Sequence, residues 1–317
     1  MDLTQVTLTQ MRYALSILEL GNFRAAAENV HVSQSALSMQ LQKLEDLLGV
    51  TLFDRSKKPV LVTEEGRVAL NQMRVIVTET ERLAQVLSND EEPQGPFRLG
   101  VIPSMSASLV PLFLVEFVER YPKVELSVEE ITTEESIRQL RRGQLDAVIC
   151  ATPLGTPGFV EEVLANEPLV AYLPPRHPLL KKKSVSQKDL AERPLWVMPE
   201  GHCFRTQVLS YCQHKSTIAP GGVHFESGNF QTLIQLVDRG LGATILPALV
   251  ADSLEQKGQR ARLRPLTGPR PVREIALVSA RKDLRKRIRD VLFESLKAPL
   301  DKALKQGRSP VEVLDPL

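Results

Sequence analysis

The chain has few cysteines, few aromatic residues and almost no net charge. Only three of its 317 residues are cysteine, and aromatic residues make up 5% of the chain. So small and odd a number of cysteines excludes a disulfide-stapled extracellular scaffold and favours a reducing cytosol. A formal net charge of +2 is so small that charge alone does not indicate a nucleic-acid partner.

Long apolar runs are absent as well. No stretch approaches the roughly 18 uninterrupted apolar residues of a membrane span. The N-terminus has no basic region followed by an apolar run, which a signal peptide would require. We therefore expect a cytoplasmic protein without membrane contact, and its length predicts two or three domains with ample core.

Two of the three cysteines lie close together in the sequence, in a polar setting. Cys203 follows His202 and precedes Arg205 by two residues, and Cys212 comes nine residues after Cys203. Positively charged neighbours lower the pKa of a thiol and so increase the thiolate, the species that attacks a peroxide or a disulfide. A reactive thiol with a second cysteine nearby is typical of a redox sensor with a resolving partner. The alternative is two unrelated cytosolic thiols.

The spacing of this cysteine pair adds a mechanical constraint. In one helix the two Cα atoms would lie about 13 Å apart, at 1.5 Å per residue. A disulfide needs a Cα separation of roughly 4.4–6.8 Å. If Cys203 and Cys212 form a disulfide, the segment between them must therefore loop back or refold, so that oxidation is coupled to a change of shape.

The first 63 residues show the pattern of a helix-turn-helix. Gly21 ends the first predicted helix, Asn22 caps the second, and Ser33 caps the third. Small polar residues at the start of a recognition helix suit base edges and phosphates. The alternative is a solvated face on an ordinary helical hairpin. The candidate DNA-contacting residues are Ser33, Gln34, Ser35, Ser38 and Gln42.

A basic turn follows the third helix. Two short strands, predicted at residues 50–55 and 60–63, flank a turn that resembles the wing of a winged helix-turn-helix. Arg55, Lys57 and Lys58 are placed to contact phosphates, which gives affinity without sequence choice. Taken singly, such charges are more often part of a solvated turn.

Residues 64–87 form one long predicted helix with a heptad seam. Apolar positions repeat at alternating spacings of four and three, which is typical of a helix that pairs with a partner helix. We expect a homodimer through this helix, because two DNA-binding heads on one rod read two half-sites. The alternative is packing against a later part of the same chain. The seam consists of Ala69, Met73, Ile76, Thr80, Leu83 and Leu87.

The remainder of the chain alternates strands and helices. Residues 88–96 are polar and contain proline and glycine, which indicates a linker. After it the pattern predicts an α/β domain with a mainly parallel sheet, long enough for two lobes. Cys150 falls on a buried strand and is expected to be a core residue. Strands are predicted at residues 97–102, 124–130, 145–150, 167–173, 195–198, 223–226, 242–246 and 274–279.

The N-terminal motifs closely resemble those of the LysR-type transcriptional regulators. The resemblance rests on Phe23-Arg-Ala-Ala-Ala27, His31-Val-Ser-Gln-Ser-Ala-Leu-Ser38 and the run from Leu44 to Arg55, and it extends over nearly the whole chain. It implies a winged helix-turn-helix domain (1–63), a linker and dimerisation helix with a hinge (64–95), and an effector domain (96–300) like periplasmic binding proteins. Lobe I would comprise residues 96–166 and 268–300, lobe II residues 167–267, and residues 301–317 would form a tail.

Within the family, four passages resemble the subgroup that senses hydrogen peroxide. They are Gly201-His-Cys-Phe-Arg205 with its later cysteine, Gly100-Val-Ile-Pro-Ser104, Gly242-Ala-Thr-Ile-Leu-Pro-Ala248 and Asp301-Lys-Ala-Leu-Lys-Gln306. The resemblance implies that Cys203 is the peroxidatic thiol and Cys212 the resolving thiol. The implied peroxide pocket comprises His202, Arg205, Ser104, Thr133 and Arg273.

The chain departs from the subgroup at two positions. Thr206 stands where well-known members have aspartate, and Ser104 stands where the family usually has threonine. The serine keeps the hydroxyl and loses a methyl group. Both changes bear on how fast the thiol reacts with peroxide.

The function that the resemblance implies is a transcription regulator and not an enzyme. Peroxide would form a reversible disulfide between Cys203 and Cys212, and the refolded segment would change the contacts between subunits and activate oxidative-stress genes. The expected partners are double-stranded operator DNA, further copies of the chain in a homodimer and homotetramer, RNA polymerase and a cytosolic thiol reductant. Neither a cofactor nor a metal is expected.

Three other functions remain open from the residues alone. The first is a DNA-binding regulator that responds to a small organic effector bound in the cleft between the lobes, with cysteines that are incidental. A thiol peroxidase tethered by its N-terminal module is a second alternative. The third, a secreted solute-binding protein, conflicts with the missing signal peptide.

Overall fold

A computed structural model describes most of the chain, and two compact units are distinguished within it. One unit comprises Met1–Asp90 with Arg142–Gln144, and the other Glu91–Arg141 with Leu145–Leu317. The described residues are 3–57, 59–87, 92–191, 195–212, 227–254, 257–280, 285–304 and 311–316.

The first unit begins with three helices whose ends are set by capping residues. They are α1 (Leu8–Leu20), α2 (Phe23–Asn29) and α3 (Gln34–Leu48). Asn22 accepts hydrogen bonds from two backbone N–H groups of α2, and Ser33 accepts one from the N–H of Ala36. Both N-cap predictions are confirmed.

Two glycines stop helices in this unit. Gly21 ends α1 with a φ of 61° and Gly49 ends α3 with a φ of 68°. This left-handed conformation is strained for residues with a Cβ atom, which is why glycine is preferred at the position after a helix.

A hairpin and a long helix complete the first unit. β1 (Phe53–Asp54) and β2 (Leu61–Val62) pair in antiparallel fashion, and α4 spans Glu64–Leu87. The winged helix-turn-helix arrangement is therefore confirmed, although both strands are shorter than predicted. Its core is formed mainly by Ala14, Ile17, Ala26, Leu37, Leu41, Leu44, Leu52, Phe53, Leu70 and Met73.

The heptad seam of α4 is buried in one part and exposed in another. Met73 is buried in the core of the first unit and Ala69 packs against it, so the N-terminal half of the helix stabilises its own domain. Leu83, farther along the seam, is 57% exposed and has no such role. The side chain of Leu87 is outside the described part of the chain.

The second unit is built on a curled sheet. Its strands run in the order β4-β3-β5-β10-β6-β8-β7, with β9 beside β6 and β11 beside β10. The strands are β3 (Gly95–Val101), β4 (Val124–Glu130), β5 (Ala147–Thr152), β6 (Phe159–Tyr172), β7 (Leu195–Trp196), β8 (Ala243–Pro247), β9 (Leu263–Pro265), β10 (Arg270–Ala280) and β11 (Val311–Val313).

Helices connect and cover these strands. They are α5 (Pro103–Arg120), α6 (Thr133–Arg141), α7 (Gln187–Ala191), α8 (Cys203–Cys212), α9 (Phe230–Asp238), α10 (Ala248–Asp252), α11 (Lys257–Arg260) and α12 (Lys286–Ala303), with a 3-10 turn at Pro178–Lys181.

The sheet is mixed, and the prediction of a mainly parallel sheet is wrong at its centre. β3 pairs in parallel with β4 and β5, and β7 with β8. The long central strand β10, however, is antiparallel to both β5 and β6. The α/β pattern of alternating elements does not reveal strands that return through the middle of a sheet.

Two hydrophobic cores divide this unit into two lobes, which bears out the predicted two-lobed architecture. The first core packs around β3, β5 and α5, and the second around β7, β8 and α9. β6 contributes to both, since Leu164 belongs to the first core and Leu169 to the second. We call these parts lobe I and lobe II.

Most predicted elements of the second unit are present. β4 matches its predicted bounds, β6 begins earlier than expected, and β9 and β11 were not predicted. The strand predicted at residues 223–226 lies outside the described residues.

Candidate functional site

The two cysteines of the predicted redox pair stand at opposite ends of one helix. Cys203 is the first residue of α8 and Cys212 the last. At 1.5 Å per residue their Cα atoms are about 13 Å apart, far beyond the reach of a disulfide. All three cysteines are free thiols and all are buried.

The helix α8 presents these cysteines to different lobes. Phe204, Val208 and Cys212, which lie along one side of the helix, pack in the core of lobe II. Cys203 instead belongs to the core of lobe I. A bond between the two sulfurs therefore requires the breaking of α8 and the removal of at least one sulfur from its core.

Two hydroxyl side chains begin helices at one edge of the lobe I sheet. Ser104 lies in the first turn of α5, which follows β3, and Thr133 begins α6, which follows β4. Because β3 and β4 are parallel, both helices start at the carboxyl edge of the sheet, where α/β proteins bind their ligands. Ser104 is 3% and Thr133 5% exposed.

Arg273 connects this edge to the interior of the sheet. Its side chain is 0% exposed, and its Nε donates to Glu167 Oε2 over 2.6 Å. Nη1 donates to Ser104 Oγ over 3.0 Å and Nη2 to the Ser104 carbonyl over 3.1 Å. The guanidinium carbon lies 5.4 Å from the centre of the Phe204 ring, beside Cys203.

The Cys203 thiol meets several of these groups at once. Burial raises its pKa, while the Thr133 hydroxyl, the Arg273 guanidinium and the backbone N–H groups at the start of α8 act in the opposite direction. Although the Thr133 hydroxyl is close enough to lower the pKa of the thiol, its oxygen forms no hydrogen bond of standard geometry within the described residues. That buried oxygen is available to a small polar ligand.

The expectation that His202 and Arg205 lower the pKa of Cys203 is wrong for this conformation. The pKa of Cys203 is raised, because burial outweighs every opposing effect, and the cation that opposes burial is Arg273. The Arg205 guanidinium is engaged elsewhere: it donates to the Met198 carbonyl over 3.1 Å.

His202 precedes α8 and is half-buried. Burial lowers the pKa of its imidazole, and the Glu130 carboxylate opposes this shift. Its ring lies against Gly228, since a Cβ atom at that glycine would lie 3.4 Å from His202 Nε2. The imidazole therefore packs against Gly228 of lobe II and is within electrostatic reach of Glu130 of lobe I.

Cys212 lies in a very different environment. Its side chain is 0% exposed, and burial alone raises the pKa of its thiol to about 12. In this conformation the thiol is protonated at neutral pH and is not accessible to an oxidant.

Cys150 is the core residue that its strand position predicts. It is 1% exposed and packs in lobe I. Burial is the main cause that raises its pKa well above the ordinary value, and the charges of Cys203 and Glu161 add to the effect.

A cavity of about 350 Å³ opens beside this cluster. Both lobes contribute to its walls, which combine polar and apolar residues. Ser104, which lines the cavity, accepts a hydrogen bond from Arg273. Its lining includes Ser104, Ser108, Glu130, Asn229, Phe230 and Gln231.

The predicted DNA-contacting face is exposed on α3. Gln34, Ser35 and Gln42 are exposed and Ser38 is half-buried. Ser33 Oγ caps the helix and lies 3.1 Å from Ser35 Oγ. Sequence reasoning missed Met39, whose side chain is 65% exposed on the same face.

The three basic residues of the wing differ in their surroundings. Arg55 donates to Glu45 Oε2 over 2.6 Å and to Gln42 Oε1 over 3.2 Å, and it lies over the Phe23 ring. Its guanidinium thus helps to hold the wing on α3. Lys57 is exposed, and Lys58 lies outside the described residues.

Glu167 is a site residue that sequence reasoning missed. It is 0% exposed, and besides Arg273 it accepts a hydrogen bond from the Leu249 backbone N–H over 2.8 Å. A single glutamate at the start of the strand predicted at residues 167–173, whose other residues are apolar, was the available signal, because a buried carboxylate needs a cationic partner.

The described part of the chain contains neither a metal-binding cluster nor a membrane-spanning helix. Among those residues, no group of three or more His, Cys, Asp or Glu side chains is placed to hold a metal ion. No helix there is both long and apolar enough to cross a bilayer.

Comparison with known proteins defines the class of this chain. Residues 8–67 match the bacterial regulatory helix-turn-helix proteins of the lysR family, and residues 90–298 match the LysR substrate binding domain. The chain belongs to the LysR family of bacterial regulators.

Within that class, the chain is similar to OxyR proteins. It is 34% identical over 308 residues to the DNA-binding transcriptional dual regulator OxyR of Escherichia coli K12, an alignment that covers 95% of this chain and all of the relative. A full-length OxyR variant from Pseudomonas aeruginosa matches with a TM-score of 0.76 at 31% identity, over 92% of this chain and 98% of that one. An H2O2-bound OxyR cysteine mutant from Corynebacterium glutamicum matches with a TM-score of 0.61 at 25% identity, over 96% and 95% of the two chains.

Proposed function

We propose that this protein is a LysR-type regulator that senses hydrogen peroxide through Cys203 and Cys212 and activates oxidative-stress genes. One observation carries the proposal: Cys203 lies among Thr133, Arg273 and the start of α8, while Cys212 is sealed at the far end of the same helix. The similarity to OxyR proteins supports the same function.

The chemistry takes place in two steps. The Cys203 thiol attacks one peroxide oxygen, which gives a sulfenic acid and releases water. The Cys212 thiol then attacks the sulfenic sulfur, which forms the disulfide and releases a second water. A cytosolic thiol reductant restores both thiols by exchange.

The cluster gives each proposed pocket residue a physical task. Ser104 and Thr133 supply hydroxyl groups to the peroxide oxygens, and Arg273 stabilises the thiolate that attacks. His202 precedes α8 and Arg205 lies in its first turn, and both are proposed to shape the pocket. The H2O2-bound relative makes a peroxide ligand chemically reasonable for a site of this composition.

The output is proposed to be transcriptional and not enzymatic. Ser33, Gln34, Ser35, Ser38 and Gln42 would contact bases and phosphates of operator DNA. Arg55, Lys57 and Lys58 would contact phosphates from the wing. The active form is proposed to be a cytoplasmic homotetramer, paired through the linker helix and able to contact RNA polymerase.

The domain boundaries remain those that the sequence predicts. They place the DNA-binding domain at 1–63, the linker helix and hinge at 64–95, the effector domain at 96–300 and the tail at 301–317. Lobe I would hold 96–166 and 268–300, and lobe II 167–267. The division of β6 between two cores near residues 164–169 supports the first lobe boundary.

The test is mass spectrometry of the protein before and after stoichiometric peroxide, together with DNA footprints of both forms. We expect one intramolecular Cys203–Cys212 disulfide and an altered footprint. If the oxidised protein carries no such disulfide, or if the footprint is unchanged, the sensor function is wrong.

A second candidate is a regulator that binds a small organic effector. The observation that favours it is the cavity of about 350 Å³, which residues of both lobes line. Ligand-dependent thermal stabilisation of the Cys203→Ser protein, with a matching change in the footprint, would support this function over the first.

A further inference from the structure

The C-terminal strand β11 lies beside α8, the helix that carries Cys203 and Cys212. It pairs in parallel with the start of β10, at Val272↔Val313. Val272 also pairs with Pro168 of β6, so β11 occupies the other side of β10, the side that β5 takes from Glu274 onward. The strand thus continues the sheet past the end of β5.

Two buried hydrogen bonds continue from this strand to α8. The Leu314 N–H donates to the Val272 carbonyl over 2.9 Å. The Leu314 carbonyl accepts from Gln207 Nε2 over 2.8 Å. Leu314 packs in the core of lobe II together with Phe204 and Cys212, and Gln207 is 0% exposed. Leu314 is therefore held on the middle of α8 by a hydrogen bond and by core packing.

Gln207 stands at the position that disulfide formation must disturb. It comes four residues after Cys203 and five before Cys212. Because the two cysteines cannot bond while α8 is intact, the helix must break between them. When the helix breaks, Gln207 in its middle cannot keep its hydrogen bond to the Leu314 carbonyl, because β11 stays paired with β10 on the sheet. Its Oε1 atom has no hydrogen-bond partner among the described residues, so this site holds the side chain by its amide nitrogen alone.

We propose that Gln207, β11 and Leu314 form a clasp that positions α8 and restrains disulfide formation. This inference rests on the proposed function. Oxidation of Cys203 by peroxide to a sulfenic acid and water needs no movement of α8, so the clasp leaves that step unchanged. The attack of the Cys212 thiol on the sulfenic sulfur, which releases the second water, requires the clasp to open. Gln207 is thus a positioning residue for the second step alone.

Three variants, each with Cys203 and Cys212 unchanged, test the clasp. Gln207→Met keeps the size of the side chain and removes the hydrogen bond to Leu314. A chain ended after Pro310 removes β11 and Leu314. The matched control is Gln259→Met, because Gln259 is also a buried lobe II glutamine, at 8% exposed, and its Nε2 also donates over 2.8 Å, to Asp238 and not to Leu314.

The readout separates the two chemical steps. Reduced protein is mixed rapidly with hydrogen peroxide and quenched with a dione that traps sulfenic acids, and mass spectrometry follows sulfenic acid and disulfide over time. We expect an unchanged second-order rate for the first step in all variants. The second step should accelerate about fivefold in Gln207→Met, as expected for one lost hydrogen bond. It should accelerate at least as much in the shortened chain, and not in Gln259→Met.

The outcomes distinguish the clasp from the function on which it rests. Wild-type protein that forms no sulfenic acid would sink the proposed function itself. Sulfenic acid that condenses at the wild-type rate or more slowly in Gln207→Met would overturn the clasp while leaving the sensor intact. The same acceleration in Gln259→Met would also overturn it, because general loosening of lobe II would then be the cause. A shortened chain that folds poorly does not remove the test, since Gln207→Met retains the whole chain.

Discussion

The two ends of α8 carry the same kind of side chain in opposite environments. At the first residue, Cys203 is 7% exposed and meets Thr133 and Arg273. At the last residue, Cys212 is 0% exposed among apolar side chains, and its thiol has a pKa of about 12. Sequence places both cysteines in one motif, whereas the fold gives one of them polar neighbours and seals the other.

The difference between the two ends indicates an order of events. In the proposed mechanism oxidation begins at the Cys203 end, because Thr133 and Arg273 act on that thiol and are proposed to hold the peroxide. The proposal expects Cys212 to react after α8 unwinds, because its thiol then reaches water and its pKa returns towards the ordinary value. The helix thus separates a reaction that recognises peroxide from a reaction that changes shape.

The largest expected effect is that of Cys203→Ser. Without this sulfur no sulfenic acid forms, so the peroxide-dependent change in the footprint should be lost completely. DNA binding should persist, because α3 and the wing belong to the other unit. If the footprint of Cys203→Ser still responds to peroxide, the contrast between the two ends of α8 is wrong, because Cys203 is then not the group that peroxide oxidises.

Cys212→Ala should separate the two ends. The alanine keeps the core apolar while removing the resolving thiol. We expect Cys203 to be oxidised at the wild-type rate but to remain a sulfenic acid, detected as one added oxygen by mass spectrometry. The matched variant is Cys150→Ala, which also removes a buried thiol yet should still form the Cys203–Cys212 disulfide. A disulfide in Cys212→Ala would show that Cys150 can take its place.

Ser104→Ala tests the polar cluster at the Cys203 end. The change removes a hydroxyl that accepts from Arg273 and that is proposed to bind peroxide. We expect oxidation of Cys203 to slow about tenfold and the free energy of unfolding to fall by about 1 kcal/mol. The control is Ser108→Ala, in the same cavity, whose hydroxyl donates to the Met105 carbonyl. Equal rates in the two variants would argue against the role of Ser104.

The last effect leaves function at neutral pH untouched, because it concerns the stability contributed by the Cys212 end and is seen only at alkaline pH. Folding raises the pKa of Cys212 from 9.0 to about 12, so the folded state holds a proton that the unfolded state loses. The stability that this proton contributes is full below pH 9 and falls as the pH rises towards 12. Relative to Cys212→Ala, the wild-type free energy of unfolding should fall by about 2 kcal/mol between about pH 8 and about pH 10.5. Urea unfolding at each pH measures this free energy for both proteins. If it changes with pH by the same amount in wild type and in Cys212→Ala, Cys212 is not sealed in the core.

Local signals predicted much of the fold. Asn22, Ser33, Gly21 and Gly49 set helix ends through contacts within one turn, so neighbouring residues suffice to predict them. The bounds of α5 were predictable for the same reason, since Pro103 and the break at Tyr121 are local. β9 and β11, with three residues each, lack the length for a pattern, and only their partners stabilise them.

The candidate site was predictable in part. The His-Cys-x-Arg motif and the later cysteine identify the reactive segment, and the spacing of nine residues fixes their separation once α8 is helical. The local motif assigned the charge near Cys203 to His202 and Arg205, its neighbours along the chain, and only the family resemblance implied that Arg273 belongs to the pocket. The structure brings Arg273 to it instead, seventy residues away in sequence, and couples that arginine to Glu167.

The sequence by itself determined which thiol has polar neighbours along the chain, how far apart the two thiols lie if their segment is helical, and where the helices of the DNA-binding domain begin and end. These properties depend on contacts within a few residues. Only the tertiary structure decided that Arg273, Ser104 and Thr133 converge at the carboxyl edge of one sheet, that Cys203 and Cys212 enter different cores, and that Leu314 holds the middle of α8. Each of these joins residues far apart in the chain, whose proximity is set by strand order and burial and not by any local preference.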